Sequence, residues 1–404
     1  MSFRSDYNCL MFAPFRGLLF DPARVADRGA ATSPPYDVID DTEHTALAAA
    51  SPFNVVRLLL SESGDERYQH AAALLAEWQH SGILALDDRP RFYLYRMTYR
   101  RPGRPDRRAV GVLGALRLVP FGDRLLPHEE TMQKHRADRM AVLRATRANL
   151  DPIIALSSAP DLAGMLEPED TPRLEFDDGS VHHCLFDVDR PEHIAAISAA
   201  ISAHPVALAD GHHRYTTARQ YRSETAGAAG PGPWDSILAF LAPATGSGLR
   251  IGPYHRGFDR FPVDPVLWSD AFENTETVAA PPETPGDLVL VAGPGHGVPP
   301  MRLHPLEAAA GTLPEPWRVA GAAVARELLY PRAGVSEDTA RYFPDAADAL
   351  AWLAEHPGGA VLLTSALPDR AIAAAAAAGL RFPQKTTFFN PKPRAGLVLR
   401  PFVA

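Results

Sequence analysis

The chain has 404 residues, of which 46% are hydrophobic and 22% are charged, and its formal net charge at pH 7 is −8. This composition is ordinary for a globular protein of two or three domains, and the acidic balance disfavours general binding to nucleic acid or to anionic membranes. No apolar run approaches the roughly 20 residues of a membrane span, and the N-terminal residues lack the pattern of a signal peptide. We therefore expect a cytoplasmic protein.

The predicted elements mix strands and helices. A strand region at 7–21 precedes a loop at 31–41 in which two consecutive prolines force an extended backbone. Periodicity then predicts a helix that begins at residue 65 and stops at Gly82, and strands at 91–100 and 108–122. It further predicts a helix at 127–150, a strand at 181–189, a helix at 190–204 and strands at 205–210, 236–244 and 249–259. Turns dominate from about 262 to 320 around one strand, at 287–293. A helix at 345–356, a strand at 359–366 and a helix at 369–380 complete a smaller α/β region.

A polar turn lies between a predicted strand and a predicted helix at 207–221, where the sequence reads ALADGHHRYTTARQY. A helix start presents backbone N–H groups to an anion, and Arg214 adds a planar fork suited to phosphate. Asp210 is a candidate proton acceptor or metal ligand, while His212 and His213 are candidates for contact with phosphate or a substrate hydroxyl. The structural alternative is that Asp210 caps the helix and the histidines are simply exposed.

Lysine is scarce in this chain. Only three of the 40 basic residues are lysines, namely Lys134, Lys385 and Lys392. All the other basic positions are arginine, so a lysine indicates a position where a compact ammonium group is needed. Lys385 and the adjacent Thr386 carry the charge and hydroxyl that bind phosphate, and we expect Lys385 to lie near the turn at 211–214. The alternative is chance survival on a solvated surface.

The predicted helix at 127–150 carries a second polar group. Glu130, Lys134 and Asp138 are spaced four apart, which places them on one helical face. His128 and Glu129 lie at the start of the same helix. The spacing fits a binding face, and it equally fits a surface ladder of ion pairs.

Two other groups have a structural interpretation. Cys9 and Cys184 are too few for a disulfide framework, and they are interpreted as inert core thiols. His182 and His183 lie in a predicted strand, where such a pair is more often an edge or core feature than a ligand set.

Several motifs occur in a specific order: PPYDVI, HEET followed by K and DR, ADGHHRYTTA, PYHR and PQKTTFFNPKPRAGL. Together they closely resemble the prokaryotic family called domain of unknown function 1015, which looks related to the ParB/sulfiredoxin superfamily and its free-serine kinases. The resemblance implies an α+β fold with a ParB/sulfiredoxin-like nucleotide-binding core and large insertions. It implies a nucleotide-binding domain at 1–245, with a β-rich insertion at about 88–185, and a C-terminal α/β region at 246–404 that contributes to the site.

The resemblance also implies a phosphotransferase that uses ATP or ADP with Mg²⁺ and acts on the hydroxyl of a small molecule such as free serine. The catalytic candidates are Asp37, Asp210 and His213; the base is Asp37 or Asp210, and Asp210 is also the candidate metal ligand. The residues expected to bind the nucleotide are Gly211, His212, His213, Arg214, Thr216, Lys385 and Thr386. The residues expected to bind the substrate are Tyr36, His128, Glu129, Lys134, Arg139, His255 and Arg256.

A second function stays open at this point: a nucleotide-binding regulatory protein that uses the same turn without turnover. A nuclease is disfavoured, because the net charge is acidic and no basic stripe is present. The expected partners are thus a nucleotide and a small hydroxyl compound, without nucleic acid or membrane, and a homodimer is left open. Nucleotide consumption that depends on a hydroxyl compound would separate the two functions.

Overall fold

The computed structural model describes residues 10–61, 64–101, 104–130, 136–168 and 171–402. Within these ranges the chain is an α+β protein, which confirms the predicted fold class. Two compact units are present. The first comprises Met1–Leu126, Met132–Leu249 and Pro391–Ala404, and the second comprises Pro127–Thr131 and Arg250–Asn390. The domain boundary predicted at residue 245 stays a prediction.

The strands and helices are numbered in chain order. The strands are β1 (Phe12–Ala13), β2 (Leu18–Phe20), β3 (Leu84–Leu86), β4 (Phe92–Arg101), β5 (Arg104–Arg117), β6 (Leu125–Pro127), β7 (Ala148–Asn149), β8 (Ile153–Ser157), β9 (Leu174–Asp177), β10 (Val181–Val188), β11 (Val206–Asp210), β12 (Ser236–Pro243), β13 (Arg250–Pro253), β14 (His255–Phe258), β15 (Phe272–Glu276), β16 (Leu288–Ala292), β17 (Met301–Pro305), β18 (Arg341–Phe343), β19 (Ala360–Thr364), β20 (Thr387–Asn390) and β21 (Arg400–Pro401). The helices are α1 (Asp41–Ala50), α2 (Val56–Leu59), α3 (Arg67–His80), α4 (Arg136–Thr146), α5 (Leu162–Met165), α6 (Pro191–Ala203), α7 (His212–Ala229), α8 (Glu307–Ala310), α9 (Glu315–Arg318), α10 (Gly321–Val324), α11 (Tyr330–Ala333), α12 (Ala346–Ala354) and α13 (Asp369–Ala377).

The first unit is built on a mixed sheet with the strand order β6-β11-β8-β12-β5-β4-β10-β9, and β1 pairs with β5. β8 and β12 are parallel, whereas β11 is antiparallel to β8 and β4 is antiparallel to β5. Apolar side chains of the strands and of α6 form the main core, which includes Leu94, Val112, Ile197 and Leu208. Every second side chain of β4 and of β10 faces the same side of the sheet, and the apolar side chains on that side contribute to this core.

The second unit contains a sheet with the order β15-β17-β16-β19-β14-β18 and a separate antiparallel pair of β13 with β20. Its core includes Phe258, Trp268, Leu290, Leu329 and Leu362. The prediction of a single strand between 262 and 320 is wrong, because β15 and β17 both pair along their length. Their polar sequences, FENTE and MRLHP, conceal the strands. In the described part of the chain, none of the helices has the length and apolar character needed to cross a membrane.

The predicted helix at 127–150 is wrong at its N-terminal end. Among the described residues it begins at Arg136, and Glu129 instead forms a parallel bridge with Phe382. The Glu130 N–H donates to the Phe382 carbonyl at 3.0 Å, and the Phe382 N–H donates to the His128 carbonyl at 2.7 Å. This long-range pairing overrides the local helical pattern. The predicted shared face of 130, 134 and 138 is therefore not formed at Glu130, and Lys134 lies outside the described residues.

Candidate functional site

The polar turn joins β11 to α7, which confirms the predicted strand-turn-helix. Gly211 has φ of +88°, and a Cβ at this position would lie 2.6 Å from Ile153 Cγ2. Glycine is therefore required at position 211 for two reasons: the backbone conformation is left-handed, and there is no space for a side chain. A β-bulge between Leu208 and Asp210 redirects the end of β11. Gly211, and not Asp210, is the N-cap residue of α7, whose first backbone N–H groups point out of its N-terminal end.

Arg214 is buried and binds two carboxylates. Its Nη1 donates to Asp151 Oδ2 and to the Pro152 carbonyl, both at 2.6 Å. Its Nη2 donates to Asp210 Oδ2 at 2.6 Å. Burial disfavours the charged form, but Asp151 and Asp210 outweigh it and raise the pKa of Arg214 above its usual value. Three of the five N–H donors of this fork, which the sequence assigns to phosphate, are thus engaged by protein groups.

Lys392 joins the same group from the C-terminal tail. Its Nζ donates to Asp210 Oδ1 at 2.7 Å and lies 3.5 Å from Asp37 Oδ2. The Lys392 side chain is 6% exposed, whereas that of Asp37 is 25% exposed. Burial lowers the pKa of Lys392, but the coulombic attraction of Asp210 and Asp37 more than offsets this, so the pKa lies above its usual value. We call Asp37, Asp151, Asp210, Arg214 and Lys392 the carboxylate cluster.

Asp151 belongs to this cluster although the sequence gives little signal for it. It stands two residues before β8, and its side chain is 10% exposed. Burial raises the pKa of Asp151, and the nearby Arg214 opposes that rise. An acid followed by proline at the start of a buried strand was the only local hint of a role at the site.

Tyr36 and Arg139, both predicted to bind substrate, lie beside the cluster. The Arg139 guanidinium carbon is 4.0 Å from the centre of the Tyr36 ring, and that of Arg214 is 5.9 Å from it. Burial raises the pKa of Tyr36 to about 12, so its hydroxyl stays protonated at neutral pH. Arg139 also donates to Asp138 Oδ2 at 2.9 Å through Nε. Stacking and pairing together fix the orientation of Arg139.

The predicted Mg²⁺ ligand, Asp210, does not fit direct metal binding in this arrangement. Its Oδ1 accepts from Lys392 and its Oδ2 accepts from Arg214, so each oxygen already has a cationic partner. A hard cation needs carboxylate oxygens with negative charge to spare. Lys392 also occupies the position between Asp210 and Asp37 that a shared ion would take.

A small cavity adjoins the buried side of the cluster. Its volume is about 50 Å³, and it is lined by Asp151, Arg214, Arg139, Thr217 and neighbouring apolar side chains. This volume accommodates water molecules, and it is far smaller than the several hundred Å³ of typical small-molecule pockets. The cavity is therefore too small to hold a nucleotide.

Two of the predicted nucleotide contacts follow Gly211 directly, and a third lies further along α7. His212 is buried, whereas His213 and Thr216 are half-buried. All three lie within the first five residues of α7. Their position at the start of the helix agrees with the prediction, and their roles stay predictions.

The other predicted residues meet in the second unit. The Thr387 backbone N–H donates to Glu129 Oε1 at 2.7 Å, and the Thr387 hydroxyl donates to the same oxygen at 2.5 Å. The Thr387 oxygen lies 2.8 Å from His128 Nε2. Because the Thr387 hydroxyl donates its proton to Glu129, His128 Nε2 is the donor in the contact between His128 and the Thr387 oxygen. Thr387 is thus the centre of this group, although only its neighbour Thr386 was assigned to the site from the sequence.

Arg256 and His255 are buried near the same tail segment. Arg256 Nη1 donates to the Tyr254 carbonyl at 2.8 Å, and its Nη2 lies 3.3 Å from the Lys385 carbonyl. Burial lowers the pKa of His255 to about 4, so this imidazole is neutral at pH 7. Lys385 has φ of +53°, and its Nζ lies 4.8 Å from the centre of the Tyr254 ring. The expected proximity of Lys385 to the turn at 211–214 stays a prediction.

The chain is thus an α+β protein with a buried group of charged side chains at the start of a helix after a bulged strand. The chain belongs to the family described as protein of unknown function (DUF1015), whose model matches residues 12–296. No curated protein matches the chain.

Several solved structures are distantly similar to this chain. A free serine kinase in complex with AMP is 12% identical, with a TM-score of 0.37, and the match covers 66% of this chain and 83% of that chain. A variant of free serine kinase in complex with ADP is 12% identical, with a TM-score of 0.37 and coverages of 68% and 90%. SbnI with a C-terminal truncation, from Staphylococcus aureus, is 12% identical, with a TM-score of 0.40 and coverages of 70% and 87%. Likeness this distant assigns neither a ligand nor a reaction.

Proposed function

We propose that the protein is a phosphotransferase that moves a phosphoryl group from ATP or ADP to the hydroxyl of a small molecule, with free serine as the first acceptor to test. The supporting observation is that Asp37 and Lys392 lie together beside the N-terminal end of α7. Phosphoryl transfer requires donors that neutralise phosphate oxygens and a carboxylate that orients the attacking hydroxyl. The helix start and Lys392 supply the donors, and Asp37 supplies the carboxylate. The choice of serine rests on the family resemblance of the motifs.

The contacts of the two candidate bases differ. Asp210 is bound by Arg214 and Lys392, which leaves its carboxylate little capacity to accept a proton. Within the described ranges, Asp37 has the longer contact to Lys392, and a quarter of its side chain is exposed. We therefore assign the base to Asp37 and a positioning role to Asp210. The acceptor oxygen bonds to the terminal phosphorus, the bond to the bridging oxygen breaks, ADP leaves (or AMP when ADP is the donor), and the hydroxyl proton passes to Asp37.

The predicted substrate residues of the second unit already have protein partners within that unit. Glu129 offers a carboxylate that could hold an amino group, but its Oε1 already accepts two bonds from Thr387. His128 and Arg256 are fully buried, so they position the tail segment that contains Lys385 and Thr387. Their direct contact with the acceptor stays a prediction.

The test is a nucleotide-consumption screen of the full chain with ATP or ADP, Mg²⁺ and a panel of amino acids and small alcohols, followed by phosphorus NMR. We expect a phosphomonoester that appears only when the acceptor is present. Asp37→Asn should lower turnover by about 100-fold or more while nucleotide affinity is little changed. Asp40→Asn is the matched control, because Asp40 caps α1 through Glu43 N–H and asparagine caps equally well.

Two results would contradict the proposal in different ways. Nucleotide binding by calorimetry without consumption on any acceptor would favour the regulatory function in place of the enzyme. Full turnover in Asp37→Asn would leave a phosphotransferase but remove Asp37 as its base.

A further inference from the structure

Three side chains with different metal-binding groups meet on one face of the sheet of the first unit. They are Glu175 on β9 and His182 and Cys184 on β10. The strand register pairs Glu175 with Cys184, and residues two apart on a strand share a face. One ligand atom from each side chain lies within 4.8 Å of the other two. None of these residues takes part in the proposed phosphotransfer.

The donor set matches the chemistry of zinc. Imidazole nitrogen, thiolate sulfur and carboxylate oxygen are its usual protein ligands, and three of them leave a fourth position for water. In a tetrahedral zinc site the nitrogen and sulfur ligands lie roughly 3.5 Å apart, given bonds of about 2.0 and 2.3 Å. His182 Nε2 is 3.2 Å from Cys184 Sγ, so these two ligands need to move apart by only a few tenths of an ångström. The Glu175 carboxylate oxygen lies within 4.8 Å of both.

A second carboxylate orients the histidine for this role. Asp177 is paired with His182 across the two strands, and its Oδ1 lies 3.2 Å from His182 Nδ1. Nδ1 therefore holds the proton, and Nε2, the nitrogen that faces Cys184, is left to bind a metal. A carboxylate behind a ligating histidine is the usual outer-shell arrangement of metal sites.

A guanidinium also supplies a hydrogen-bond donor to the Cys184 sulfur. Arg96 is paired with Cys184 on the neighbouring strand, and its Nη2 lies 3.5 Å from Sγ. Its guanidinium is also held over the Phe186 ring at 5.0 Å. A thiolate and one carboxylate balance the charge of a divalent ion. Cys184 is 1% exposed, but the His182 side chain is 37% exposed and Glu175 is exposed, so an ion can enter from their side.

We propose that Glu175, His182 and Cys184 bind one zinc-type divalent ion, with water as the fourth ligand. β9 stands at one end of the strand order of this sheet. The ion would therefore fasten an edge strand to β10, in addition to the backbone ladder, and would stabilise this edge of the unit.

The test uses Co²⁺ as a spectroscopic probe and Zn²⁺ as a competitor, both with the full chain. We expect a thiolate-to-cobalt charge-transfer band that saturates at one equivalent and disappears when Zn²⁺ is added. Cys184→Ser should abolish the band, and Glu175→Gln, on the exposed edge, should weaken Co²⁺ binding without a risk to the fold. Asp177→Asn should weaken binding by about 10-fold to 100-fold, as expected for an outer-shell partner.

The controls are Cys9→Ser, which removes the other thiol, and His193→Ala, which removes a histidine of the same unit. Both should keep the band unchanged. The proposal is overturned if the wild-type protein shows no charge-transfer band at stoichiometric Co²⁺, or if the band survives Cys184→Ser. It is also overturned if Glu175→Gln and Asp177→Asn both bind Co²⁺ as tightly as the wild type.

Discussion

Replacement of Lys392 with methionine would remove the ammonium beside Asp37 and Asp210 and keep an aliphatic side chain of similar length. The three carboxylates of the cluster would remain, and Arg214 would still bind two of them, Asp151 and Asp210. Asp210 Oδ1 would lose its bond to Lys392 Nζ. The free energy of unfolding of the first unit should fall as a result.

The burial of the pair determines the size of this loss. Removal of one partner from a buried ion pair costs about 3–5 kcal/mol, because the other charge is left without compensation. Asp210 keeps Arg214 at 2.6 Å, so we expect the lower end of that range, about 3 kcal/mol at pH 7. Arg89 is the matched control: it pairs with Asp189 but is 59% exposed. Arg89→Met should cost about 1 kcal/mol or less.

The pH dependence of the loss has a definite sign. The pKa of Lys392 is raised in the folded protein, so the folded state holds this proton more tightly than the unfolded state does. The stabilisation is therefore fully present below the ordinary lysine pKa of about 10.4 and is lost as the pH rises through the folded pKa. The difference between wild type and Lys392→Met should stay constant from about pH 6 to pH 9 and shrink above about pH 10.4.

The assay is a urea titration followed by hydrogen exchange in peptides of the first unit, so that its unfolding is measured separately from that of the second unit. Wild type, Lys392→Met and Arg89→Met are compared at neutral and alkaline pH. If Lys392→Met were no more destabilising than Arg89→Met, the buried pair with Asp210 would not stabilise the unit. A difference that persisted unchanged above the folded pKa would contradict the electrostatic origin of the effect.

Three other changes test the turn and the tail. Gly211→Ala should destabilise the fold by about 1–3 kcal/mol in thermal unfolding, because φ of +88° is strained for alanine and the new Cβ would clash with Ile153. Gly82→Ala is the control, since Gly82 has φ of +74° but open space around it, and it should destabilise the fold less. Equal losses in the two variants would exclude a contribution from the clash with Ile153. Arg214→Lys should destabilise by about 2 kcal/mol or more, because an ammonium cannot hold both carboxylates and the Pro152 carbonyl, and an unchanged urea midpoint would refute this. Lys385→Arg should impair nucleotide turnover with little change in melting temperature, and normal turnover would remove Lys385 from the site.

The turn at 210–214 could be predicted from the sequence because its determinants are local. A short apolar run, a glycine and a polar helix start follow one another in a few residues, and only Gly211 can take the left-handed conformation next to Ile153 without strain. The bulge in β11 gives no sequence signal, because it is set by the pairing with β8. Strand, turn and helix were thus predictable, but the direction of the Asp210 side chain was not.

The non-local parts of the site were hidden from sequence reasoning. Residues 127–130 have helical spacing, yet backbone pairing with Phe382 makes them extended. Thr387 binds Glu129 across a separation of 258 residues, and no local pattern encodes such a contact. Asp151 has its role only because β8 runs beside β11 and brings it under Arg214. The family resemblance pointed to His128 and Glu129 but not to Thr387 or Asp151, because these contacts depend on the tertiary fold.

The scarcity of lysine in the sequence draws attention to Lys392, and its contacts differ from those of Arg214 in the same cluster. Arg214 makes three short bonds with a rigid fork, so it is fixed in place. Lys392 binds Asp210 through a single nitrogen on a flexible stem, and Arg214 also binds Asp210. On the proposed function, Lys392 would turn from Asp210 to the nucleotide phosphate while Arg214 keeps Asp210 compensated. On the proposed function, the two cations of the cluster therefore have different roles: Arg214 stays bound to the carboxylates, and Lys392 moves to the nucleotide. An arginine at position 392 would be too large and too firmly paired to make that exchange, which gives a physical reason for lysine there in a chain that otherwise prefers arginine.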